Sequence, residues 1–290
     1  MIAVLGRSGR RSGYSGGMLR IISGEFRRRL LKTPPDAEKT RPIPDRVKES
    51  LFQILRGHCE GAAVFEGFSG VGAIGLEAMS RGAKRVVMVE RDREIFRLLE
   101  QNIETLGCHD RVEPICGDAL GPGALARCPR PVHLVFFDPP YAMVRDPAGW
   151  GRVKGQFERL IAMLDDTGYA VLRTPWPLFH EFGPDGQPVS QVEEVSRGKK
   201  PAKADRKLDH DAKTDQRWLS ADEIAEEFDK AVAGVEEDEE PGEAPAAPAE
   251  PVVEPENRRE FIDLKMAGAV GPETHVYHAM AVHLYMRAKA

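Results

Sequence analysis

A four-residue string, Asp138-Pro139-Pro140-Tyr141, directly follows the apolar run 134–137. An ionised Asp accepts hydrogen bonds from an amino group, each proline ring fixes a backbone φ angle, and Tyr offers a flat face to a planar ring. Acceptors held rigidly where positive charge develops are an effective form of catalysis. The string therefore predicts a site that holds a planar amino group while a methyl group is added to it, although an ordinary turn after a strand could use the same residues.

A second chemical signal is a glycine-rich loop upstream. Gly70, Gly72 and Gly75 satisfy the G-x-G-x-x-G spacing, and Glu90 lies 20 residues after Gly70, at the end of the next predicted strand. The same fingerprint occurs in NAD-binding Rossmann folds, which is the competing interpretation. Glu66, at the tip of the first predicted strand, would repel a pyrophosphate but suits the cationic groups of S-adenosylmethionine. We therefore predict S-adenosylmethionine as the cofactor.

Other acidic residues complete the predicted cofactor site. Glu90 has two carboxylate oxygens and can accept from both hydroxyls of a ribose. Asp118 follows the third predicted strand and is placed to accept from an adenine amino group, although Gly-Asp also forms simple turns. Together with Asp138, these residues fall at the carboxyl ends of successive strands, where open α/β sheets bind ligands. The predicted cofactor residues are Glu66, Phe68, Gly70, Gly72, Gly75, Glu90, Arg91, Asp118 and Ala119.

The elements that must position these residues alternate along the chain, which predicts a parallel sheet with helices on both faces. Later apolar segments, separated by a turn, predict an antiparallel hairpin that finishes the sheet. Strand patterns fall at 62–66, 84–90, 112–116, 132–138, 169–173, 260–265 and 275–287, and helix patterns at 45–55, 73–80, 92–106 and 157–164.

Charge is distributed unevenly. Residues 1–56 contain 13 Arg and Lys against 5 Asp and Glu, whereas residues 183–260 contain 11 against 22. A basic segment beside a nearly neutral body predicts a polyanionic partner such as nucleic acid. Arg41 could instead border the cofactor. The expected phosphate contacts are Arg20, Arg27, Arg28, Arg29, Lys32, Arg41, Arg46 and Lys48.

Five segments follow from these patterns. We expect a disordered extension at 1–17, a basic arm with a small hairpin and a leading helix at 18–56, the catalytic core at 57–182, an acidic low-complexity insertion at 183–258, and the final strands of the core at 259–290. The insertion is interpreted as a solvated loop, or alternatively as a mimic of RNA that competes for the basic arm.

Several classes of protein are disfavoured by the sequence. No apolar stretch of about 18 residues occurs, so we expect no membrane span. Arginines follow the short apolar N-terminus, the reverse of the order in a secretory signal, and we expect a cytoplasmic protein. The four cysteines have no metal-ligand spacing, which predicts reduced thiols and no metal site. We expect a monomer, since no self-complementary apolar face is evident.

Beyond these patterns, the sequence resembles a known family, the bacterial 16S rRNA (guanine(966)-N(2))-methyltransferases. The resemblance covers about 18–182 and 258–288, nearly everything outside the insertion. It is carried by the residues at 18–26, Thr40-Arg41-Pro42, the helix 45–52, the segment 75–83, Asp138-Pro139-Pro140-Tyr141, Val276-Tyr277-His278 and Leu284-Tyr285.

The resemblance implies a Rossmann-like seven-stranded methyltransferase sheet with the last strand antiparallel. It also implies N2-methylation of a guanine in 16S ribosomal RNA, either free or within a small-subunit assembly particle. Three departures stand out: Glu66 where an Asp is usual, His278 where a small residue, usually Gly, is found, and the long insertion. Two alternatives stay open, a DNA adenine-N6 methyltransferase and a non-catalytic ribosome-assembly factor.

Overall fold

A computed structural model describes residues 19–35, 43–189 and 257–289. The predicted disordered extension at 1–17, Arg41 and most of the acidic insertion lie outside the described residues. The helices are α1 Asp45–Ile54, α2 Gly75–Ser80, α3 Arg93–Leu106, α4 Pro122–Arg127, α5 Tyr141–Arg145 and α6 Pro147–Ile161. The strands are β1 Ala63–Gly67, β2 Arg85–Glu90, β3 Val112–Cys116, β4 Val132–Phe137, β5 Leu164–Pro175, β6 Phe179–Phe182, β7 Arg258–Phe261, β8 Ala269–Tyr277 and β9 Met280–Arg287.

The main sheet of the described residues has seven strands in the order β3-β2-β1-β4-β5-β9-β8. Strands β1 to β5 run parallel to their neighbours, whereas β9 pairs antiparallel with both β5 and β8. The order in which successive strands are added to the sheet therefore reverses between β1 and β4, and such a switch point is where open α/β sheets bind ligands. The predicted Rossmann-like sheet, with its last strand antiparallel, is confirmed.

The strands form because their apolar runs are covered on both faces, as parallel sheets require. Val86, Val87, Met88 and Val89 of β2 are all fully buried, so neighbouring side chains of one strand enter opposite layers of the core. One layer packs beneath α1, α2 and α3, and the other packs beneath α6. Each strand end is thus fixed from both sides, which holds the side chains that follow it.

Local signals define α3 well. The Asp92 side chain accepts from the backbone N–H groups of Glu94 and Ile95, which caps the start of the helix. Gly107 ends the helix in the left-handed conformation, with φ of 65°. The helix predicted at 92–106 is confirmed to within one residue.

Other predicted bounds were wrong. Helix α6 begins ten residues earlier than the predicted start at 157, and α4 and α5 were not predicted. The strand pattern at 260–265 does not join the main sheet, since β7 pairs with β6 in a separate two-stranded sheet. The segment 275–287 is not one strand, because the chain turns at His278, where φ is 52°. The final hairpin is instead formed by β8 and β9.

The predicted N-terminal hairpin is present between Leu19 and Leu31. Its strands exchange backbone hydrogen bonds from Ile21 N to Arg29 O at 2.9 Å and from Leu31 N to Leu19 O at 2.8 Å. We call residues 19–31 the arm. Its turn carries the three consecutive arginines that the sequence singled out.

Candidate active site

A cleft of about 870 Å³ opens at the carboxyl ends of β1 to β4. Glu66, Glu90, Asp118 and Asp138 all line it, each contributed by a different strand end. Parallel strands bring these ends to a single edge of the sheet, so residues far apart in sequence meet there. The cleft is the candidate site.

Glu66 is buried below the glycine loop. Its Oε2 accepts a hydrogen bond from the backbone N–H of Gly75 at 3.0 Å. Burial raises the pKa of Glu66 to about 8, and the nearby charges of Asp138 and Glu90 act in the same direction, whereas the Gly75 N–H opposes them. Near neutral pH, burial therefore favours the protonated form of this carboxyl until a cation lies beside it.

Glu90 holds the glycine loop and the start of α3 together. Its Oε2 accepts from Gly70 N at 2.9 Å, and its Oε1 accepts from Asp92 N at 2.7 Å. A carboxylate has about four lone-pair sites, so each oxygen can accept a second hydrogen bond from a ligand. Its place in the cleft agrees with the predicted contact to a diol.

Asp118 forms a turn as well as lining the cleft. Its Oδ1 accepts from Leu120 N at 3.0 Å, and its Oδ2 lies 3.3 Å from a terminal guanidinium nitrogen of Arg152. The side chain is 39% exposed. Asp118 therefore forms a simple turn and also faces the cleft, so the turn and the predicted adenine contact are compatible.

Asp138 follows β4 and meets a cation that the sequence did not reveal. The Nε–H of Arg173, on β5, donates to Asp138 Oδ1 at 2.7 Å. Burial raises the pKa of Asp138, whereas the positive charge and the hydrogen bond of Arg173 lower it. Burial is the larger effect, so the pKa of this carboxyl group, which faces the cleft, lies above its usual range.

The rest of the Asp-Pro-Pro-Tyr string forms the cleft wall beside Asp138. Pro139, Pro140 and Tyr141 all line the cleft, and Tyr141 is the first residue of α5. The Arg173 guanidinium carbon lies 5.9 Å from the centre of the Tyr141 ring. A flat aromatic face and a carboxylate are thus held side by side.

Most of the remaining predicted cofactor residues also line the cleft, namely Phe68, Gly70, Arg91 and Ala119. Phe68 has φ of 61°, a strained conformation for a side chain of its size. Gly72 and Gly75 do not line the cleft wall. An added Cβ on Gly75 would stand 2.5 Å from Glu66 Oε2, so this glycine allows close packing under the loop.

The arm packs on α2 through buried polar groups. Glu77 accepts from the backbone N–H groups of Ile22 and Ser23 at 2.7 and 3.0 Å. Lys48 Nζ donates to Arg20 O at 2.6 Å and lies 3.6 Å from Glu77 Oε2, with both side chains fully buried. The prediction that Lys48 contacts phosphate was therefore wrong.

The other predicted basic residues remain on the surface. Arg27, Arg28 and Arg29 are exposed, and no described acidic side chain forms an ion pair with any of them. Arg46 is exposed on α1, and Arg20 pairs with Asp45 at 3.0 Å. The arm reaches the cleft at its root, because Leu19 and Thr33 belong to the cleft wall.

Comparison with known proteins places this fold. A family model described as "Conserved hypothetical protein 95" matches residues 19–149. The solved structure of Escherichia coli yhhF, described as a methyltransferase, superposes with a TM-score of 0.54 at 22% identity, covering 94% of this chain and 100% of that chain. This likeness supports the fold.

Sequence relatives decide the family. Ribosomal RNA small subunit methyltransferase D of Escherichia coli K12 is 35% identical over 157 residues, which are 54% of this chain and 72% of the relative. The protein of the same name from Haemophilus influenzae is 36% identical over 126 residues, 43% of this chain and 65% of the relative. The chain belongs to the ribosomal RNA small subunit methyltransferase D family. The family resemblance inferred from the sequence is confirmed.

The methyl donor of this methyltransferase family is S-adenosylmethionine, and the cleft fits it. Ser69 Oγ is buried in the cleft wall and has no hydrogen-bond partner among the described residues. Gly70 has φ of 56°, and no heavy atom lies within 4 Å of the position of an added Cβ, so the loop leaves open space there. Glu90 and Glu66 line the same cleft and offer acceptors for hydroxyl and ammonium groups.

Arg173 and Ser69 are the site residues that sequence reasoning missed. Arg173 ends the apolar segment 169–173 and resembles a strand-end surface charge. The signal lies in the strand pairing, since Leu172 pairs with Phe137 and so places Arg173 beside Asp138. Ser69 lies inside the glycine loop, where its type alone carries no signal. None of the described helices has the length and apolar character needed to cross a membrane.

Proposed function

We propose that this protein transfers a methyl group from S-adenosylmethionine to the exocyclic N2 of a guanine in small-subunit ribosomal RNA, in the cytoplasm. The observation that carries the proposal is the place of Asp138, at the end of β4 in the wall of the same cleft as Glu66 and Glu90. A hydrogen-bond acceptor for an amine thus shares a cleft with the residues that suit the cofactor. The relatives' name supports ribosomal RNA as the substrate.

The bound cofactor supplies an electrophilic methyl group on a sulfonium. The chain's own residues orient the amine. Asp138 and the carbonyl of Pro139 accept hydrogen bonds from the N2 amine, and Tyr141 stacks on the base. N2 would form a bond to the methyl carbon while the bond from that carbon to sulfur breaks and leaves a neutral thioether. Asp138 stabilises the positive charge that N2 gains and accepts the proton that N2 then loses. Holding the reacting atoms in line supplies much of the acceleration.

The base must leave its stack to enter this cleft, as for other enzymes that modify a base. The arm offers contacts for the neighbouring phosphates, because its arginines are exposed and its root belongs to the cleft wall. Such contacts orient the RNA without reading its sequence.

Two measurements test the function. Ribosomal RNA from a strain that lacks the gene is digested and analysed by mass spectrometry, and we expect one missing N2-methylguanosine. The purified enzyme is then supplied with radiolabelled S-adenosylmethionine and free 16S rRNA, small ribosomal subunits or DNA. We expect label in the ribosomal RNA, supplied either free or within small ribosomal subunits. Label in DNA adenine alone, or no label in any substrate, would contradict the proposal.

A further inference from the structure

Arg173 is placed beside Asp138 by the sheet itself. In the parallel pairing of β4 and β5, Phe137 lies opposite Leu172. The residues that follow them, Asp138 and Arg173, therefore lie side by side at the cleft. The guanidinium Nε donates to Asp138 Oδ1 at 2.7 Å, and the Arg173 side chain is only 9% exposed. A buried arginine anchored in a strand holds its partner in one orientation.

The surroundings of this pair are acidic. Glu66 of β1 and Glu90 of β2 line the same cleft, and the charges of Asp138 and Glu90 both raise the pKa of Glu66. An unpaired carboxylate buried among other acids would take up a proton, because burial and like charge both disfavour ionisation. Arg173 is the cation in direct contact with Asp138. Its charge and its hydrogen bond lower the pKa of Asp138, against the rise that burial causes.

We propose that Arg173 is a positioning residue that holds Asp138 ionised and oriented, and thereby makes the site accept guanine in preference to adenine. This inference rests on the proposed function, since it concerns the base that enters the same cleft. Arg173 acts through Asp138 and is distinct from the residues that contact the reacting amine.

The selectivity follows from hydrogen-bond chemistry. An ionised carboxylate only accepts, whereas a protonated one also donates. Among the described residues, Arg173 bonds to Asp138 Oδ1 and none bonds to Oδ2, so acceptor capacity remains for a base. Guanine presents its N2 amine beside a ring N1–H, which makes two donors in a row. Adenine presents its amine beside an unprotonated ring nitrogen, an acceptor that an ionised carboxylate repels and a protonated one satisfies.

The other charged and titratable groups around Asp138 cannot replace Arg173. Glu66 and Glu90 line the cleft without a positive charge, and Tyr141 contributes a phenol ring and its hydroxyl. Arg145, on α5, lines the same cleft, whereas the ion pair made with Asp138 is that of Arg173. Removing the charge at Arg173 should therefore raise the pKa of Asp138 further, because burial already raises it and Arg173 opposes that effect.

The first test is the pH dependence of kcat/KM for rRNA methylation in Arg173→Gln and Arg173→Lys. For Arg173→Gln we expect the acid limb to move up by about one pH unit or more, the size of shift that a close opposite charge causes. The lysine variant should keep the limb near its wild-type position, since it keeps the charge. The matched control is Thr174→Val, the next buried residue of β5, which bonds to His283 and not to Asp138.

A purely structural role would lower activity by one factor at every pH, so an unmoved limb in Arg173→Gln would overturn the inference. Calorimetric affinity for S-adenosylmethionine should stay within about threefold of wild type in all variants, since roughly 0.65 kcal/mol is the free energy of such a change. A loss of cofactor binding that parallels a loss of thermal stability would likewise assign Arg173 a structural role.

The second test measures base selectivity directly. Mass spectrometry locates the methylated guanosine, and RNA carrying adenosine at that position serves as the competitor. We expect the preference for guanosine to fall at least about tenfold in Arg173→Gln, about 1.4 kcal/mol, and to persist in Arg173→Lys. If the glutamine variant cannot be purified, loss of the preference in Arg173→Lys contradicts the inference. Wild-type enzyme that labels no RNA would instead overturn the proposed function.

Discussion

At the residue scale, Glu66 shows how burial prepares a carboxyl group for a cation. Its pKa of about 8 lies above the ordinary value of 4.5 because burial disfavours the charged form. The free energy of unfolding therefore falls as the pH rises from 4.5 towards 8, because the unfolded chain has already lost this proton whereas the folded protein still holds it. A bound cation offsets this cost by stabilising the carboxylate.

Proton release on cofactor binding follows from this. At pH 7, S-adenosylmethionine binding should release up to one proton from Glu66, because the cationic ligand lowers a pKa that starts near 8. Calorimetry in buffers of different ionisation enthalpy measures the number of protons released. In Glu66→Gln we expect that number to fall and its dependence on pH between 6 and 8 to flatten. Equal proton release by the two proteins would assign the titration to another group.

The role proposed for Asp138 is tested by Asp138→Ala. Turnover should fall by about 100- to 1000-fold, the cost typical of removing one preorganised group that stabilises transition-state charge. Cofactor affinity should stay near wild type, since the residues predicted to bind the cofactor lie on or after β1, β2 and β3 and precede β4. Single-turnover kinetics with radiolabelled S-adenosylmethionine gives the first quantity and calorimetry the second. Wild-type turnover in the variant would remove Asp138 from the mechanism.

A residue of the site could be predicted from the sequence when it lies at the end of the strand that positions it. Glu66, Glu90, Asp118 and Asp138 were found because a charge that ends an apolar run is a local signal. Arg173 was missed because its role depends on which strand lies beside β5 and in which register, a relation between residues 35 positions apart. The ionisation of Glu66 was also hidden, since burial is a property of the packed loop.

At the element scale, the same distinction between local and long-range signals separates the predicted elements from the missed ones. The strands β1, β2 and β4 are largely buried on both faces and so appear as mainly apolar runs, and α3 carries its own cap and stop. Helices α4 and α5 have only six and five residues, too few to show a helical period. Strand β7 was misplaced because its partner β6 precedes it by about 80 residues, across the insertion.

The contact of the arm with α2 gives a prediction about elements. Gly24 has φ of 84°, and an added Cβ would stand 1.8 Å from the carbonyl oxygen of Ser80 on α2. Gly57 provides a matched control, because its φ is 88° and an added Cβ there would meet nothing within 4 Å. Gly57→Ala should cost about 1–2 kcal/mol in the free energy of unfolding through backbone strain alone.

Gly24→Ala should cost more than this control, since the alanine methyl cannot fit unless the arm leaves α2. RNA affinity should fall with it, whereas cofactor affinity should not. Urea denaturation, RNA binding and calorimetry measure the three quantities. Equal losses of stability and RNA affinity in the two variants would show that the packing of the arm on α2 does not matter.

At the scale of the whole molecule, the arm extends along α2 from the cleft to the opposite edge of the sheet. Its root lies in the cleft wall at Leu19, whereas its turn contacts Ser80 at the end of α2 and pairs Glu25 with Arg111, just before β3. The turn exposes Arg27, Arg28 and Arg29. A second exposed basic group lies at the amino edge of the sheet and consists of Lys84, Arg85 and Arg130, which precede or begin strands. If the arm guides RNA into the cleft, only the arginines of the arm should contact the phosphates.

Replacing the three arginines of the arm by glutamine tests this orientation, and replacing Lys84, Arg85 and Arg130 by glutamine is the charge-matched control. The arm variant should lower RNA affinity and reduce the slope of log affinity against log salt by about 2–3, since each lost phosphate contact removes roughly 0.7–0.9 from the slope. The amino-edge variant should keep the wild-type slope, because none of its residues belongs to the arm. Binding titrations across a range of salt concentrations measure both slopes. Equal slopes in the two variants would mean that RNA is attracted by net charge alone, and a larger change at the amino edge would place the RNA on the opposite side of the sheet from Asp138.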